Sequence, residues 1–303
     1  MKNGEAIDLV GLIAQYGDEQ KCRNYLEALR WHNGIRCPRC NGDKISSILK
    51  RDQYECDKDS CGYQFSVTAG TIFHDTHLPL TKWLLATYML CQSRKGMSAN
   101  QVKRMLGVSY KTAWYLCHRI RAAMAAAEAQ PLSGTVEIDE TYVGGKPPRG
   151  SKRGRGTPKE IVIGIRQRGG DLRFFHAEDV KSGTLAKYIR ENVSEDVDMV
   201  MTDEFSAYHK ALGNMEEKHK TVNHSTGEYV LGDIHTNSIE SAFSLLKRGI
   251  VGTWHRVSAK HLPAYLDEMT WRFNNRKNPF LFRDTVRRML NAENLEFKQL
   301  TAA

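Results

Sequence analysis

Apolar positions divide the chain into two differently patterned parts. Before Pro131 the pattern predicts an N-terminal helix, a short strand-rich segment around a group of cysteines, and three helices with apolar residues at three- and four-residue steps. From Pro131 onward, short apolar runs are bounded by glycine pairs, which is typical of strands. We therefore expect helical and α/β parts in one chain.

The second part alternates strand and helix patterns. It begins with three strand-like runs, "TVEIDETYV", "EIVIGIRQ" and "LRFFHA". A helix ("AKYIRENV"), a strand ("DMVMTD") and a short helix ("FSAYHKAL") follow. A last strand ("HKTVNH") and a longer helix ("NSIESAFSLLKRG") complete the series. This order predicts a mixed sheet with helices on its faces. We expect the first and fourth strands to be central neighbours.

The stretch "HTNSIESAFSLLKRG" (235–249) carries two stripes on one helix. An apolar stripe from Ile239 to Ile250 is typical of a helix packed on a core. Asn237, Glu240 and Lys247 also recur at helical spacing and so share a second face. That polar face is either solvated surface or part of a site.

The three helices before Pro131 resemble a helix-turn-helix. Ser98 and Ser109 are placed as N-caps of the second and third helices, and Gly107 lies in the turn between them. The first turns of a recognition helix contact the DNA major groove, so the third helix supplies the candidate contacts Tyr110, Lys111, Thr112 and Tyr115, with Arg119 and Arg121 further along. A plain three-helix connector with solvated basic residues is the alternative.

Four of the seven cysteines form two close pairs, Cys37 with Cys40 and Cys56 with Cys61. Two thiolate pairs on two turns are typical of a tetrahedral zinc ribbon, although iron also accepts four thiolates. Four protein ligands leave no position for a catalytic water, so we expect structural Zn²⁺ that holds a basic surface. Four unrelated buried cysteines are the alternative.

Composition agrees with a soluble, nucleic-acid-binding protein. The net charge is +9, which favours a polyanionic partner. No apolar run approaches the roughly 18 residues of a membrane span, and acidic residues interrupt the N-terminal apolar run, so neither a membrane partner nor a signal peptide is expected. We expect a cytoplasmic protein.

Two aspartates end predicted strands, Asp139 the first and Asp203 the fourth. If those strands are neighbours, the two carboxylates lie side by side and repel unless a divalent cation lies between them. Mg²⁺ prefers such ligands, and paired ions stabilise both oxygens of a phosphoryl transfer. A third acid from a packed helix would complete the site, and Glu240 is the candidate. A turn or capping role is the alternative for either aspartate.

The segment "GGKPPRGSKRGRGTPK" (144–159) follows the Asp139 strand and has six Lys or Arg and no acid. We expect its basic residues, among them Lys152, Arg153 and Arg155, to contact the DNA backbone. A solvated hairpin loop is the alternative.

The order of cysteine pairs, helix-turn-helix, "EIDETYVGGK", "TDEFSAY" and "HTNSIESAFSLLKRGIVGTWHRVSAKHLPAYLDEMTWRFNNR" resembles the transposases of the insertion-sequence 1595 type, relatives of the Merlin transposons. The resemblance extends from about residue 10 to about residue 290 and is most specific in the C-terminal block.

The resemblance implies an RNase-H-like catalytic domain with an acidic triad and Mg²⁺, for which Mn²⁺ can substitute. Asp139 and Asp203 match the first two acids. The third position matches Glu240 or Asn237; a carboxylate is the better Mg²⁺ ligand, so we favour Glu240, and Asn237 and His235 stay candidate site members. Lys247 would contact a DNA phosphate, and Arg248 would bind DNA beside it.

The sequence thus predicts a multidomain transposase: an N-terminal helix and zinc ribbon (1–75), a helix-turn-helix domain (76–130) and an RNase-H-like mixed-sheet domain (131–295). The expected partners are the terminal inverted repeats and target DNA, bound by a homo-oligomer at the bacterial nucleoid. A non-catalytic, domesticated DNA-binding protein is the alternative, and an RNase-H-type nuclease that joins no ends is a second.

Overall fold

In a computed structural model of the chain, the structure describes residues 7–125, 130–144, 159–222 and 236–302. The backbone contacts group the chain into two compact units. The N-terminal unit comprises Met1–Ala125 and Lys277–Ala303, and the sheet unit comprises Ala126–Arg276.

The N-terminal unit is mainly helical. Its helices are α1 (Leu9–Tyr16), α2 (Glu19–Arg30), α3 (Leu80–Gln92), α4 (Ala99–Leu106), α5 (Tyr110–Met124), α10 (Leu281–Asn291) and α11 (Phe297–Thr301). Local chemistry sets the ends of α4 and α5. The Ser98 hydroxyl accepts from the N–H of Gln101, the Ser109 hydroxyl accepts from the N–H of Thr112, and Gly107 ends α4 with a φ of 60°. The predicted caps are confirmed.

A small antiparallel sheet lies between α2 and α3. It has the order β1 (Ile45–Ile48), β2 (Gln53–Cys56), β3 (Gln64–Phe65). Its core is small, with Phe65 buried among Trp31, Tyr54 and Tyr63 beside the cysteines. A core of this size depends on another source of stability, such as a metal.

The sheet unit contains the predicted mixed sheet. Its strands are β4 (Thr135–Val143), β5 (Glu160–Gln167), β6 (Leu172–Ala177), β7 (Met199–Asp203) and β8 (His219–Val222), in the order β6-β5-β4-β7-β8. β4, β7 and β8 are parallel, and β5 is antiparallel to both of its neighbours. The first and fourth strands of the unit are therefore central neighbours, as predicted.

Helices cover both faces of this sheet. They are α6 (Ser182–Asn192), α7 (Ala207–Leu212), α8 (Asn237–Gly249) and α9 (Leu262–Asn274). Val136 and Ile138 share a core with residues of α6 and α7. Val143 and Val162 share the opposite core with α8 and α9. Because side chains alternate along a strand, the odd-numbered positions of β4 face α8.

Helices α10 and α11 pack in the N-terminal unit, where the Cys91 thiol lies 3.3 Å from the Thr285 hydroxyl and the Tyr115 hydroxyl donates to the carbonyl of Leu295. The division into three domains at residues 75, 130 and 295 stays a prediction. None of the helices in the described ranges is long and apolar enough to cross a membrane.

Candidate active site and zinc site

The strand pairing brings two aspartates together. In the parallel pair of β4 and β7, Val136 lies opposite Val200 and Glu137 lies opposite Met201. Two residues further along each strand lie Asp139 and Asp203, whose charges interact. β7 ends at Asp203, whereas β4 continues past Asp139 to Val143, so Asp139 does not end its strand as predicted. Both side chains then lie on the face that α8 covers, because odd positions share one face.

The electrostatics of Asp139 show how concentrated the negative charge is. Burial, followed by the charges of Glu140, Asp203 and Glu240, together raises the pKa of Asp139 to about 7. The N–H of Glu140 opposes this by donating to Asp139 Oδ1 at 2.8 Å. Four carboxyl groups therefore lie close enough for their charges to interact, which favours a bound cation.

Helix α8 packs its apolar stripe on the sheet and places Glu240 at the edge of the contact. Ile239 and Phe243 are buried in the core below, whereas Glu240 is exposed. The Thr236 hydroxyl donates to Glu240 Oε1 at 3.1 Å and so restrains the carboxylate. Glu240 lies close enough to Asp139 for its charge to raise the pKa of that aspartate.

A glycine allows α8 to approach β5 closely. Gly164 pairs with Asp139 across β4 and β5. A Cβ atom at this position would lie 2.7 Å from both Ile239 Cδ1 and Phe243 Cζ. Glycine inside a strand is typical of such an approach, a signal that the sequence analysis left unused.

We expect Gly164→Ala to destabilise the sheet unit by about 1–3 kcal/mol, because the added methyl group overpacks this core. It should also slow any reaction that needs Glu240, since α8 must shift. Gly183→Ala is the matched control, because a Cβ there meets no atom within 4 Å. Thermal unfolding of both variants tests this, and equal midpoints would show that α8 does not need the glycine.

The other predicted residues of α8 are exposed. Asn237 is the first residue of the helix, and Lys247 and Arg248 lie in its last turn. Lys247 follows Glu240 by two turns on one side of the helix, as its spacing predicted. His235 and the basic residues Lys152, Arg153 and Arg155 lie outside the described residues.

Glu140 faces the other side of the sheet, because it is an even-numbered position of β4. Its Oε2 accepts a hydrogen bond of 2.8 Å from the hydroxyl of Tyr208, a residue of α7 that is fully buried in the core between the sheet and α6. Burial raises the pKa of Glu140. Tyr208 thus holds the acid next to Asp139, a role that no motif in the sequence indicated.

The four predicted zinc ligands come together in the N-terminal unit. The Sγ atoms of Cys37 and Cys61 are 3.7 Å apart and those of Cys40 and Cys56 are 3.6 Å apart. All four lie within 4.8 Å of one another. Tetrahedral zinc with Zn–S bonds of about 2.3 Å requires S···S distances of about 3.8 Å, so the cluster fits this ion.

The acids around Asp139 are spaced more widely than the cysteines. Within the described ranges, the cysteine cluster is the one group of three or more His, Cys, Asp or Glu whose ligand atoms all lie within 4.8 Å of one another.

The predicted recognition helix α5 is exposed at its start and covered further along. Tyr110 is 49% exposed and Lys111 is exposed, although its ammonium lies 4.3 Å from the ring centre of Phe297. Thr112 and Tyr115 are half-buried.

Arg119 is only 4% exposed, and it donates to the His74 carbonyl and to Asn294 Oδ1. These contacts hold α5 inside its unit. The Arg119 guanidinium is therefore occupied within the N-terminal unit, and Arg121 is fully buried, so neither is assigned a DNA contact.

Comparisons with known proteins agree with this architecture. Residues 131–274 match the family described as ISXO2-like transposase domain, and residues 17–64 match the transposase zinc-ribbon domain. The chain is 33% identical over 273 residues to the "Uncharacterized protein in transposable element ISH50" of Halobacterium salinarum, covering 84% of this chain and 90% of the relative.

Two solved structures align with the chain at 10% identity. The Mos1 strand transfer complex aligns over 69% of this chain and 75% of that one with a TM-score of 0.30, and a pre-cleavage Mos1 transpososome over 66% and 76% with a TM-score of 0.27. Scores this low do not establish a common fold. The two family matches and the ISH50 relative do establish the family: the chain belongs to the ISXO2-like transposases of the insertion-sequence 1595 type, with their zinc-ribbon domain.

Proposed function

We propose that this transposase binds the terminal inverted repeats of its insertion sequence and catalyses metal-dependent DNA cleavage and strand transfer. The catalytic domain is RNase-H-like, and Asp139, Asp203 and Glu240 hold Mg²⁺ or Mn²⁺. The proposal is supported by the parallel pairing of β4 with β7, the two central strands that carry Asp139 and Asp203. It is also supported by the burial and the neighbouring carboxylate charges that raise the pKa of Asp139 to about 7.

The donor set suits a hard divalent cation, because it consists of carboxylate oxygens whose negative charges repel one another. When bound, such ions supply an activated water and stabilise the charge that develops on the phosphate. Asp139 and Asp203, on two central strands, give the site a rigid base. Glu240 contributes from a helix, and Lys247 binds a phosphate of the DNA end as a point charge.

DNA binding is assigned to basic and exposed surfaces. In the N-terminal unit, the start of α5 offers Tyr110, Lys111 and Thr112 to the major groove as the recognition helix of a helix-turn-helix. Arg248 lies beside Lys247 on α8, and residues 144–159 supply six further cations for the DNA backbone. A homo-oligomer would bring two element ends together.

The test is a cleavage and joining assay on DNA that carries the ends of the element encoding the chain. The wild type should release 3′-OH ends and join them to target DNA only with Mg²⁺ or Mn²⁺. DNA binding without cleavage would favour the non-catalytic, domesticated protein. Equal cleavage of DNA without the repeats, and no joining, would favour a nuclease.

The choice between Glu240 and Asn237 forms a separate prediction. We expect Glu240→Gln to reduce the cleavage rate by about 10²-fold or more, because a neutral amide is a weak Mg²⁺ ligand, and Asn237→Ala to reduce it by less than about tenfold. Single-turnover rates on one end substrate compare the two variants. The opposite ranking would assign the third ligand to Asn237.

A further inference from the structure

Glu137 is a buried acid that the proposed metal site does not use. Its side chain is 0% exposed, and it precedes Asp139 by two residues on β4. Residues two apart on a strand lie on one face, so Glu137 also faces α8. A fully buried carboxylate is costly unless it is paired and hydrogen-bonded, so its partners indicate its role.

One partner of Glu137 is the start of helix α8. Its Oε2 accepts a hydrogen bond of 2.9 Å from the backbone N–H of Ile239, in the first turn. An N-cap side chain ordinarily takes such an N–H, but Thr236, at the N-cap, makes no such bond and donates its hydroxyl to Glu240. The cap of α8 therefore comes from the strand below it.

Two arginines complete the contact. Arg168 Nε lies 2.6 Å from Glu137 Oε1 in an ion pair, and the Arg166 guanidinium donates to the carbonyl of Ser238. The Arg166 guanidinium also lies 4.9 Å from the ring centre of Phe273 on α9. The Arg168 pairing compensates the charge of Glu137, while Arg166 holds the first turn of α8 from a second side.

We propose that Glu137 is a positioning residue of the active site: it fixes the first turn of α8 on β4, so that Glu240 is held against Asp139. The geometry links the two acids through a short path, because Glu137 is two residues from Asp139 and Ile239 is adjacent to Glu240. The proposal rests on the proposed function for its catalytic consequence, but not for the contact itself.

The test compares Glu137→Met, which keeps the side-chain volume but removes the acceptor, with Glu137→Gln, which keeps an acceptor oxygen and loses the charge. In the full chain, Glu137→Met should speed hydrogen exchange in the first turn of α8 by about tenfold or more. It should also raise the half-saturating Mg²⁺ concentration for cleavage by about tenfold, with end binding without metal unchanged. Glu137→Gln should fall between Glu137→Met and the wild type.

Glu268→Met is the matched control. Glu268 is also 0% exposed and is paired with an arginine, Arg272, at 3.1 Å within α9. Losing it should lower the unfolding temperature without changing exchange in α8 or the Mg²⁺ requirement. The inference is overturned if Glu137→Met leaves the exchange unchanged, or if Glu268→Met alters both readouts equally. A wild type that does not cleave refutes the proposed function, and the exchange result still decides whether Glu137 holds α8.

Discussion

Asp139→Asn should abolish DNA cleavage and, without divalent metal, make the protein more stable than the wild type above pH 7. The loss of cleavage should be about 10³-fold or more, because an amide neither attracts the cation nor offsets charge at the phosphate. End binding should persist, since Asp139 is not part of the proposed DNA surface. Gel-shift and single-turnover cleavage assays measure the two properties separately.

The gain in stability follows from the raised pKa of Asp139. The pKa of this carboxyl is about 7 in the folded chain and near 3.8 in the unfolded chain. Between these two pH values, the folded chain therefore binds more protons than the unfolded chain. Wild-type stability therefore falls as the pH rises from about 4 to about 7, and the asparagine variant escapes that loss. Each pKa unit corresponds to about 1.4 kcal/mol, and we expect about 2 kcal/mol at pH 8 after allowing for partial exposure.

Asp179→Asn provides a control of opposite sign. Hydrogen bonds from the Thr184 hydroxyl and the Lys181 N–H lower the pKa of Asp179 to about 2. Its charge therefore stabilises the fold above pH 4, so the substitution should lower stability and leave cleavage intact.

Added Mg²⁺ should stabilise the wild type and Asp179→Asn but not Asp139→Asn. Chemical unfolding at pH 5 and pH 8 is the measurement, and equal stability of Asp139→Asn and wild type at pH 8 would contradict the prediction.

Local patterns were sufficient to predict most elements of the fold. The caps at Ser98 and Ser109 are interactions within four residues, so the sequence around them specifies the helix ends. The neighbouring positions of β4 and β7 followed from the order of strands and helices. The four cysteines were recognised by spacing alone, because zinc imposes the same geometry on many chains.

Features that depend on contacts between distant segments could not be predicted in this way. The helix-turn-helix pattern made Arg119 a candidate DNA contact, but it could not show that Arg119 would bind Asn294, 175 residues further along the chain. Alternation along β4 determines which face of the sheet Glu137 lies on, but the hydrogen bond from Ile239 to Glu137 also depends on the position of α8 along the sheet. The position of α8 depends in turn on Gly164, because a side chain at this residue would collide with α8. The reason for this glycine becomes clear only when the packing of α8 is known.

Removing the metal from the cysteine cluster should unfold the ribbon and weaken DNA binding. The ribbon has a two-residue third strand and a core in which the cysteines themselves pack with Phe65. Structural zinc contributes about 10 kcal/mol or more to folding in small domains, more than such a core supplies. We expect Cys37→Ser, or a strong chelator, to abolish exchange protection of the strands between residues 45 and 65 and to weaken end binding by about tenfold or more.

Cys22→Ser is the matched control for the cluster. Cys22 is also buried, but its thiol donates to the carbonyl of Tyr16 and lies outside the four-cysteine group. This variant should keep one zinc ion per chain by elemental analysis, whereas Cys37→Ser and Cys61→Ser should keep almost none.

The Mg²⁺ requirement of any residual cleavage should stay unchanged, because four thiolates leave no coordination position for substrate or water. Iron in the purified protein would contradict the zinc assignment, and full DNA binding by metal-free protein would show that the ribbon contributes nothing to recognition.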